Sequence, residues 1–384
     1  MKQTRYPAVF MRGGSSKGVF FHERDLPADP GLRDRIFLAA IGSPDTYGRQ
    51  LNGMGGGVSS VSKAVMIGPP SVEGADLDYT FAQVAVDRPL VDYSSNCGNL
   101  SSAVGPFAVD EGLVKVSDGE VLIRIHNTNT KKIIHSRFRV RDGIADVGGD
   151  QTIPGVSGSG APIRLDFLDP GGATTGRLLP TGNVIDRLDV PGVGAVEISM
   201  VDAANGCLFI DAAAVGLKGT EKPEEIEANK TAMAALDAIR RHAAVAMGLA
   251  ATPGETPLAN PKIAIVAKPA DYETISKETV PGGSIDLVAR MISMGQCHRV
   301  LPLTGGLCLG AACRMTGSVP ARLPPGVGES IRLGTPSGPL TVDAEVVPDG
   351  DSWKANRASV FRTARRMMEG NVLVPEETLA AAAE

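Results

Sequence analysis

Residues 97–112 read CGNLSSAVGPFAVDEG, and no charged residue occurs from Cys97 to Val109. Residues 304–317, TGGLCLGAACRMTG, have the same character, with no charge from Thr304 to Cys313. A segment that is apolar on every side and built of Gly, Ala and Ser belongs inside a core, with neighbours pressed close around it. Each segment starts at a polar, Gly-containing turn, and one falls in each half of the chain. The pair predicts an α+β chain of two similar domains, each a mainly antiparallel β-roll around a buried central helix. The two helix starts would then face each other across a cleft. By periodicity alone, apolar runs of this length also fit core strands.

Around these segments, short runs with period-two alternation dominate. Leu77, Tyr79 and Phe81 share one strand face, as do Val121, Ile123 and Ile125. Similar runs at 133–140, 163–168, 195–201, 207–210, 262–267 and 340–347 are separated by short Gly, Pro and Asp turns, which favour antiparallel pairing. Two amphipathic helices read as scaffold. In the first, Asp29 caps, Pro30 takes the first position and Gly42 stops the helix. The second opens at Pro223 and runs to about residue 250, burying Ile226, Met233, Leu236, Ile239, Ala243 and Met247.

Composition removes several classes of function. The 384 residues include 46 Gly and 27 Pro but only 4% aromatics, with 43% hydrophobic residues and a net charge of −5. That apolar fraction with so little net charge does not describe a disordered chain. Glycine follows no three-residue period, so collagen is excluded. An acidic, aromatic-poor chain lacks the basic patches and stacking faces of a nucleic-acid binder. The length favours two domains.

The five cysteines, Cys97, Cys207, Cys297, Cys308 and Cys313, form no CxxC and leave one unpaired, so neither a disulfide framework nor a zinc site is expected. The N-terminus lacks a long apolar run, and Asp237, Arg240, Arg241 and His242 interrupt the most apolar helical stretch. A soluble, reducing, cytoplasmic setting with no membrane contact is the expectation.

Four segments carry candidate chemistry. In Met11-Arg-Gly-Gly-Ser-Ser-Lys-Gly18, two glycines expose backbone amides while Arg12, Ser15, Ser16 and Lys17 supply donors and positive charge. That suits a carboxylate or phosphate, although the spacing is not that of a Walker loop. The alternative is a glycine turn with a solvated lysine. In Gly53-Met-Gly-Gly-Gly-Val-Ser-Ser-Val-Ser-Lys63, a lysine follows four glycines at the mouth of an apolar strand. Partial burial near Arg12 and Lys17 would lower its pKa, and a neutral amine can take a proton from carbon. The alternative is that Lys63 merely ends a surface loop.

The third segment, Ser94-Ser-Asn-Cys97-Gly-Asn99, starts the buried helix. Cys97 there meets free N–H groups and the positive end of the helix dipole, which also suit a substrate carboxylate. A small packed cysteine is the alternative. The fourth, Met294 to Gly306, holds His298 and a possible anion-binding helix start at Thr304 and Gly305. Cys207, Cys308 and Cys313 read as packing residues. There is no G-x-S-x-G elbow and no G-x-G-x-x-G between strand and helix.

Taken together, MRGGSSKGVFF, NGMGGGVSSVSK, SSNCGNLSSAVGPFA, LLPTGNVIDRLDV and the stretch His298–Gly317 resemble the PrpF family, from Pro7 to about Val374. The resemblance implies the diaminopimelate-epimerase-like fold with the active site between domains 1–183 and 184–384, the last strand returning to the first. It implies a cofactor-independent isomerase of small unsaturated di- or tricarboxylates. The family includes 2-methylaconitate cis-trans isomerase, 4-oxalomesaconate tautomerase, and the oxalomesaconate and methylitaconate Δ-isomerases. By resemblance Lys63 and Cys97 are catalytic. The implied substrate-binding residues are Arg12, Ser15, Ser16, Lys17, Ser62, Gly98, Asn99, His298, Thr304 and Gly305, with no metal and no cofactor.

The related epimerases carry a second cysteine where Pro302 stands here, and Cys308 lies deeper, so a symmetric two-thiol racemase is disfavoured. The GMGGGVSSVSK loop is nearer the 2-methylaconitate form than the GGADPLTSK-like loop of the oxalomesaconate enzymes. The first reading is therefore 2-methylaconitate cis-trans isomerase, and the second is 4-oxalomesaconate tautomerase or a related Δ-isomerase acting on oxalomesaconate, methylitaconate or aconitate. A noncatalytic tricarboxylate binder is the reading from another class. The expected partner is the small substrate, with a homodimer on the family's precedent.

Overall fold

A computed structural model describes residues 2–380 apart from 95, 259, 324–327 and 329. The chain divides into two units, Met1–Leu165 with Arg362–Glu384, and Asp166–Phe361. This boundary lies before the expected 183/184. Asp202 of the second unit accepts hydrogen bonds from the Thr174 and Thr175 amides at 2.7 and 2.5 Å, which ties the intervening segment to that unit.

In the first unit, β1 (Gln3–Gly13) pairs antiparallel with β2 (Ser16–His22) and with the strand Ala364–Pro375. β2 runs parallel to β3 (Lys63–Gly68), which pairs antiparallel with β4 (Leu77–Val84). β4 runs parallel to Gly119–Asn127, and that strand pairs antiparallel with Lys132–Arg141. The second unit repeats the same order of pairings. Asp186–Val190, Gly194–Asp202 and Gly206–Asp211 are antiparallel, Lys262–Ala267 then joins in parallel, Leu287–Ser293 antiparallel, Ile331–Thr335 in parallel and Gly338–Asp349 antiparallel.

The helices sit at matching places. α1 (Pro30–Ile41) links the first parallel pair of its unit, as Pro223–Ala228 and Lys230–Ala246 do in theirs. α2 (Gly98–Asp110) links the second parallel pair, and the helix Leu303–Arg314 does so in the second unit. Both of these are buried along nearly their whole length, as their uncharged sequences predict. Inside α2, Ser101 and Ser102 return their hydroxyls to the carbonyls of Cys97 and Asn99, at 3.1 and 2.7 Å, so the buried polar atoms are satisfied within the helix.

α1 follows its signals. Asp29 accepts from the Leu32 amide at 2.7 Å, Pro30 opens the helix and Gly42 ends it at φ +83°. The second amphipathic helix departs from the expectation of one continuous element. It breaks at Asn229, whose side chain caps the second piece by accepting from the Ala232 amide at 3.1 Å. On its apolar face Ile226, Leu236, Ile239, Ala243 and Met247 are buried as read, while Met233 is only partly buried. Among the described residues no helix is long and apolar enough to cross a membrane.

Candidate active site

Cys97 is the N-cap residue of α2, and its own side chain makes no capping hydrogen bond to the helix. The Cys97 carbonyl is held three ways: by the Ser101 amide (3.0 Å), the Ser101 hydroxyl (3.1 Å) and the Tyr79 phenol (3.2 Å). Its thiol lies 3.8 Å from the Ser16 hydroxyl. The β1–β2 hairpin comes this close because it is made of glycine at the contacts. A Cβ on Gly13 would stand 2.6 Å from the Asn99 carbonyl oxygen, and one on Gly18 2.8 Å from that of Lys63. At the hairpin tip the Asn99 amide nitrogen donates to the Ser15 hydroxyl at 3.2 Å.

Lys63 opens β3 on the α2 side of the sheet. Its side chain is buried, with Nζ 4.8 Å from the centroid of the Phe81 ring and 2.6 Å from Gln83 Oε1. Burial pushes the Lys63 amine below the usual lysine range, while the nearby Cys97 side chain pulls the other way. The lowered value expected from sequence is present, but burial rather than Arg12 and Lys17 causes it. Burial, and then Cys97, also push the Tyr79 phenol well up.

Arg12 and Lys17 do not join this group. The sequence read them as loop residues, whereas the turn is only Gly14–Ser15, so both belong to strands, where neighbours alternate faces. Gly13, Ser16 and Gly18 face α2, and Arg12 and Lys17 face the other way. Lys17 Nζ lies 5.6 Å from the ring centroid of Phe10, which packs with the α1 cluster. Arg12 donates to the carbonyls of Gly14 and Thr363 at 2.9 and 3.0 Å. It also stands opposite Arg365 in register, and burial together with that arginine lowers its pKa.

The cation at the α2 start is instead Arg362, which the sequence reading missed. The residue is 4% exposed and its Nε donates to Asn99 Oδ1 at 3.2 Å. Burial pushes it down to about 9, so it remains charged at neutral pH. Arg362, Asn99 and Ser15 thus form a hydrogen-bonded line beside Gly98 and Cys97.

Ser62 is turned away from this line. Its hydroxyl lies 2.7 Å from Gln50 Oε1 and 2.8 Å from the Val58 carbonyl oxygen, the two acceptors that share its one proton. The glycines before it serve α1: the Met54 and Gly55 amides donate to the Ala40 and Ile41 carbonyls at 2.8 and 3.0 Å, covering the helix's C-terminal end. A Cβ on Gly53 would stand 2.2 Å from the Gly42 nitrogen and 2.3 Å from the Ile41 carbonyl carbon, both backbone atoms that cannot give way. Gly53→Ala is therefore expected to cost about 1–3 kcal/mol. Thermal unfolding reads this as a fall of several degrees, and an unchanged midpoint would refute the packing argument.

His298, Thr304 and Gly305 belong to the second unit. The Val300 amide donates to His298 Nδ1 at 3.1 Å, and Asn205 Nδ2 to Thr304 Oγ1 at 3.3 Å. Gly305 makes room for Met291, whose sulfur would lie 2.4 Å from a Cβ there. Pro302 occupies the N-cap position that Cys97 holds in α2. Cys308 Sγ lies 3.3 Å from the Val201 carbonyl, and burial pushes its thiol well up, as befits a packing residue. Burial also pushes Cys297 and Cys313 up to about 12.

One further parallel went unread. Lys262 opens KIAIVA as Lys63 opens KAVMIG, and it is likewise buried, with Nζ 3.4 Å from Asn260 Oδ1. Among the described residues no group of three or more His, Cys, Asp or Glu side chains is placed to hold a metal ion.

Two units of this kind, each with a buried helix linking its second parallel pair, define the diaminopimelate-epimerase-like fold. A hydroxyproline epimerase from Agrobacterium vitis shares it, with a TM-score of 0.56 at 11% identity over 96% of this chain and 92% of that one. The PrpF protein family model matches residues 3–375, and the chain belongs to this family of isomerases. It is 43% identical to a 3-methylitaconate isomerase from Eubacterium barkeri (98% of this chain, 99% of the relative). It is 39% identical to a 2-methyl-aconitate isomerase from Shewanella oneidensis (97% and 98%). The crystal structure of a methylitaconate-delta-isomerase superposes with a TM-score of 0.85 at 42% identity, covering 100% of this chain and 99% of that one.

Proposed function

We propose that the cluster of Lys63, Cys97, Asn99 and Arg362 binds and isomerises a small, branched, unsaturated polycarboxylate by moving an allylic proton. One observation carries the reading: a buried lysine, its pKa lowered by burial and influenced by the charge of Cys97, lies on the α2 side of the sheet near the cysteine that opens that helix, where a buried guanidinium also reaches Asn99. The guanidinium and the α2 amides hold substrate carboxylates. Neutral Lys63 Nζ takes a proton from the carbon next to the double bond, and the electron pair passes into the conjugated carboxylate to give a dienolate. Positive charge and amides already in place stabilise the charge that develops. The Lys63 ammonium then returns the proton, either directly or by passing it to Cys97 as the thiol gives its own to the dienolate. Return to the same carbon after bond rotation exchanges cis and trans, while return to the far carbon shifts the double bond. The step is redox-neutral, and no atom beyond the proton is exchanged.

For the substrate we favour 2-methylaconitate, which the Shewanella relative's name supports. The second reading is 3-methylitaconate, favoured by the relative of 43% identity. Five free, buried cysteines support a reducing, cytoplasmic setting. The test is NMR of the protein incubated separately with 2-methylaconitate, 3-methylitaconate, 4-oxalomesaconate and trans-aconitate in deuterated water. Isomerisation of 2-methylaconitate fastest of the four supports the first reading, and fastest turnover of 3-methylitaconate supports the second. Tight binding with neither turnover nor exchange would leave a tricarboxylate binder instead.

A further inference from the structure

Lys63 and Gln83 are directly opposed in the β3–β4 register, so both side chains leave the same face of the sheet. Gln83 Nε2 lies 3.1 Å from the Ser59 carbonyl oxygen, 3.0 Å from that of Ser62 and 3.4 Å from that of Val84. Carbonyl oxygens only accept, so the nitrogen end of the amide must be the end that faces them. That leaves Oε1 as the atom turned to Lys63, 2.6 Å from Nζ. The orientation follows from the surrounding chemistry.

We propose that Gln83 is the positioning residue of Lys63, anchoring the amine by a neutral acceptor so that its lone pair stays free for the substrate proton. This deepens the proposed function and rests on Lys63 being the proton-transfer base. A neutral oxygen can accept an N–H from either protonation state, so it holds the amine before and after the proton moves. A carboxylate here would lose the N–H donors to Ser59 and Ser62 and would fix the ammonium as an ion pair. The other groups around the amine do not perform this role. Cys97, at the start of α2, is the titratable side chain facing it, with the Tyr79 phenol behind on the Cys97 carbonyl. Phe81 from β4 presents a ring face, and Gly18 from β2 has no side chain.

The signs of two substitutions differ. Gln83→Glu gives Lys63 a counter-ion and favours its charged form. Gln83→Leu removes an acceptor from the ammonium and leaves Cys97 alone to oppose burial there. The experiment is the pH profile of kcat/KM, on whichever of 2-methylaconitate and 3-methylitaconate the wild type turns over faster, for wild type, Q83E, Q83L and K63M.

The acid limb is expected to move up by about one to three pH units in Q83E. In Q83L it moves down while kcat falls about tenfold or more with KM little changed, because an unanchored amine loses its reacting geometry. Loss of stability alone would lower the thermal midpoint and leave the limb in place. Limbs that coincide with wild type in both variants overturn the proposal, and should Q83E not fold, the direction in Q83L decides. Wild-type turnover in K63M would instead strike down the Lys63 reading, and this inference with it.

Discussion

Lys63→Met is expected to lower kcat/KM by about 10²–10⁴-fold, the usual contribution of a positioned general base. Substrate affinity should change little, since the carboxylates are assigned to Arg362 and the α2 amides. Methionine keeps most of the side chain's length and suits the buried site beside Phe81. The pH dependence has a definite sign. The amine must be neutral to act, so wild-type activity rises with pH through the lowered Lys63 pKa, and this limb lies below the ordinary lysine value of 10.5.

Stability is linked to the same shift. Between the lowered folded pKa and 10.5 the unfolded chain holds more protons at this site than the folded one. Folding therefore becomes more favourable as pH climbs through that window, and K63M should lose this increment. Thermal melts over the alkaline range read it, and equal pH slopes in the two proteins would show that Lys63 is not the group responsible.

The second large effect falls on binding. Arg362→Met should raise KM about a hundredfold or more, because truncating one partner of a buried, hydrogen-bonded charge pair costs about 2–5 kcal/mol. The fall in kcat should be the smaller effect. Arg362→Lys should recover part of the loss, since an ammonium restores the charge but not the paired donors of a guanidinium. Asn99 makes the assignment specific: without the guanidinium, its Oδ1 loses the donor that now sits at 3.2 Å. Arg12→Met is the control. Arg12 shares its strand face with Lys17 and Phe10, away from α2, so its KM should match wild type. A KM that rises in R12M and not in R362M would reverse the assignment of the carboxylate-binding cation.

These arginines show what a sequence can disclose. The buried helices were legible because an uncharged run of small residues has few places to go except a core. Lys63 and Cys97 were legible because one opens an apolar strand and the other opens such a helix. Arg12 and Lys17 were misread because a two-residue turn turns a polar loop into two strand ends, and only the register shows which neighbours share a face. Arg362 lies 263 positions from Asn99 and reaches it only because the chain returns to the first unit after building the second.

Gln83 was invisible for a related reason, since its partnership with Lys63 exists only in the β3–β4 pairing. The glycine-rich loop at 53–57 could serve a ligand or another helix, and it packs on the end of α1. The composition carries no distinction between glycines that admit a substrate and glycines that admit another backbone.

The proposed mechanism turns on Lys63 as the group that transfers the substrate's allylic proton. Its most direct test is solvent deuterium incorporation, followed by proton NMR in deuterated water with wild type and K63M on the same substrate. Wild type is expected to wash deuterium into the allylic position of both substrate and product, while K63M binds the substrate and exchanges nothing over the same interval. Exchange in K63M at the wild-type rate would contradict this mechanism.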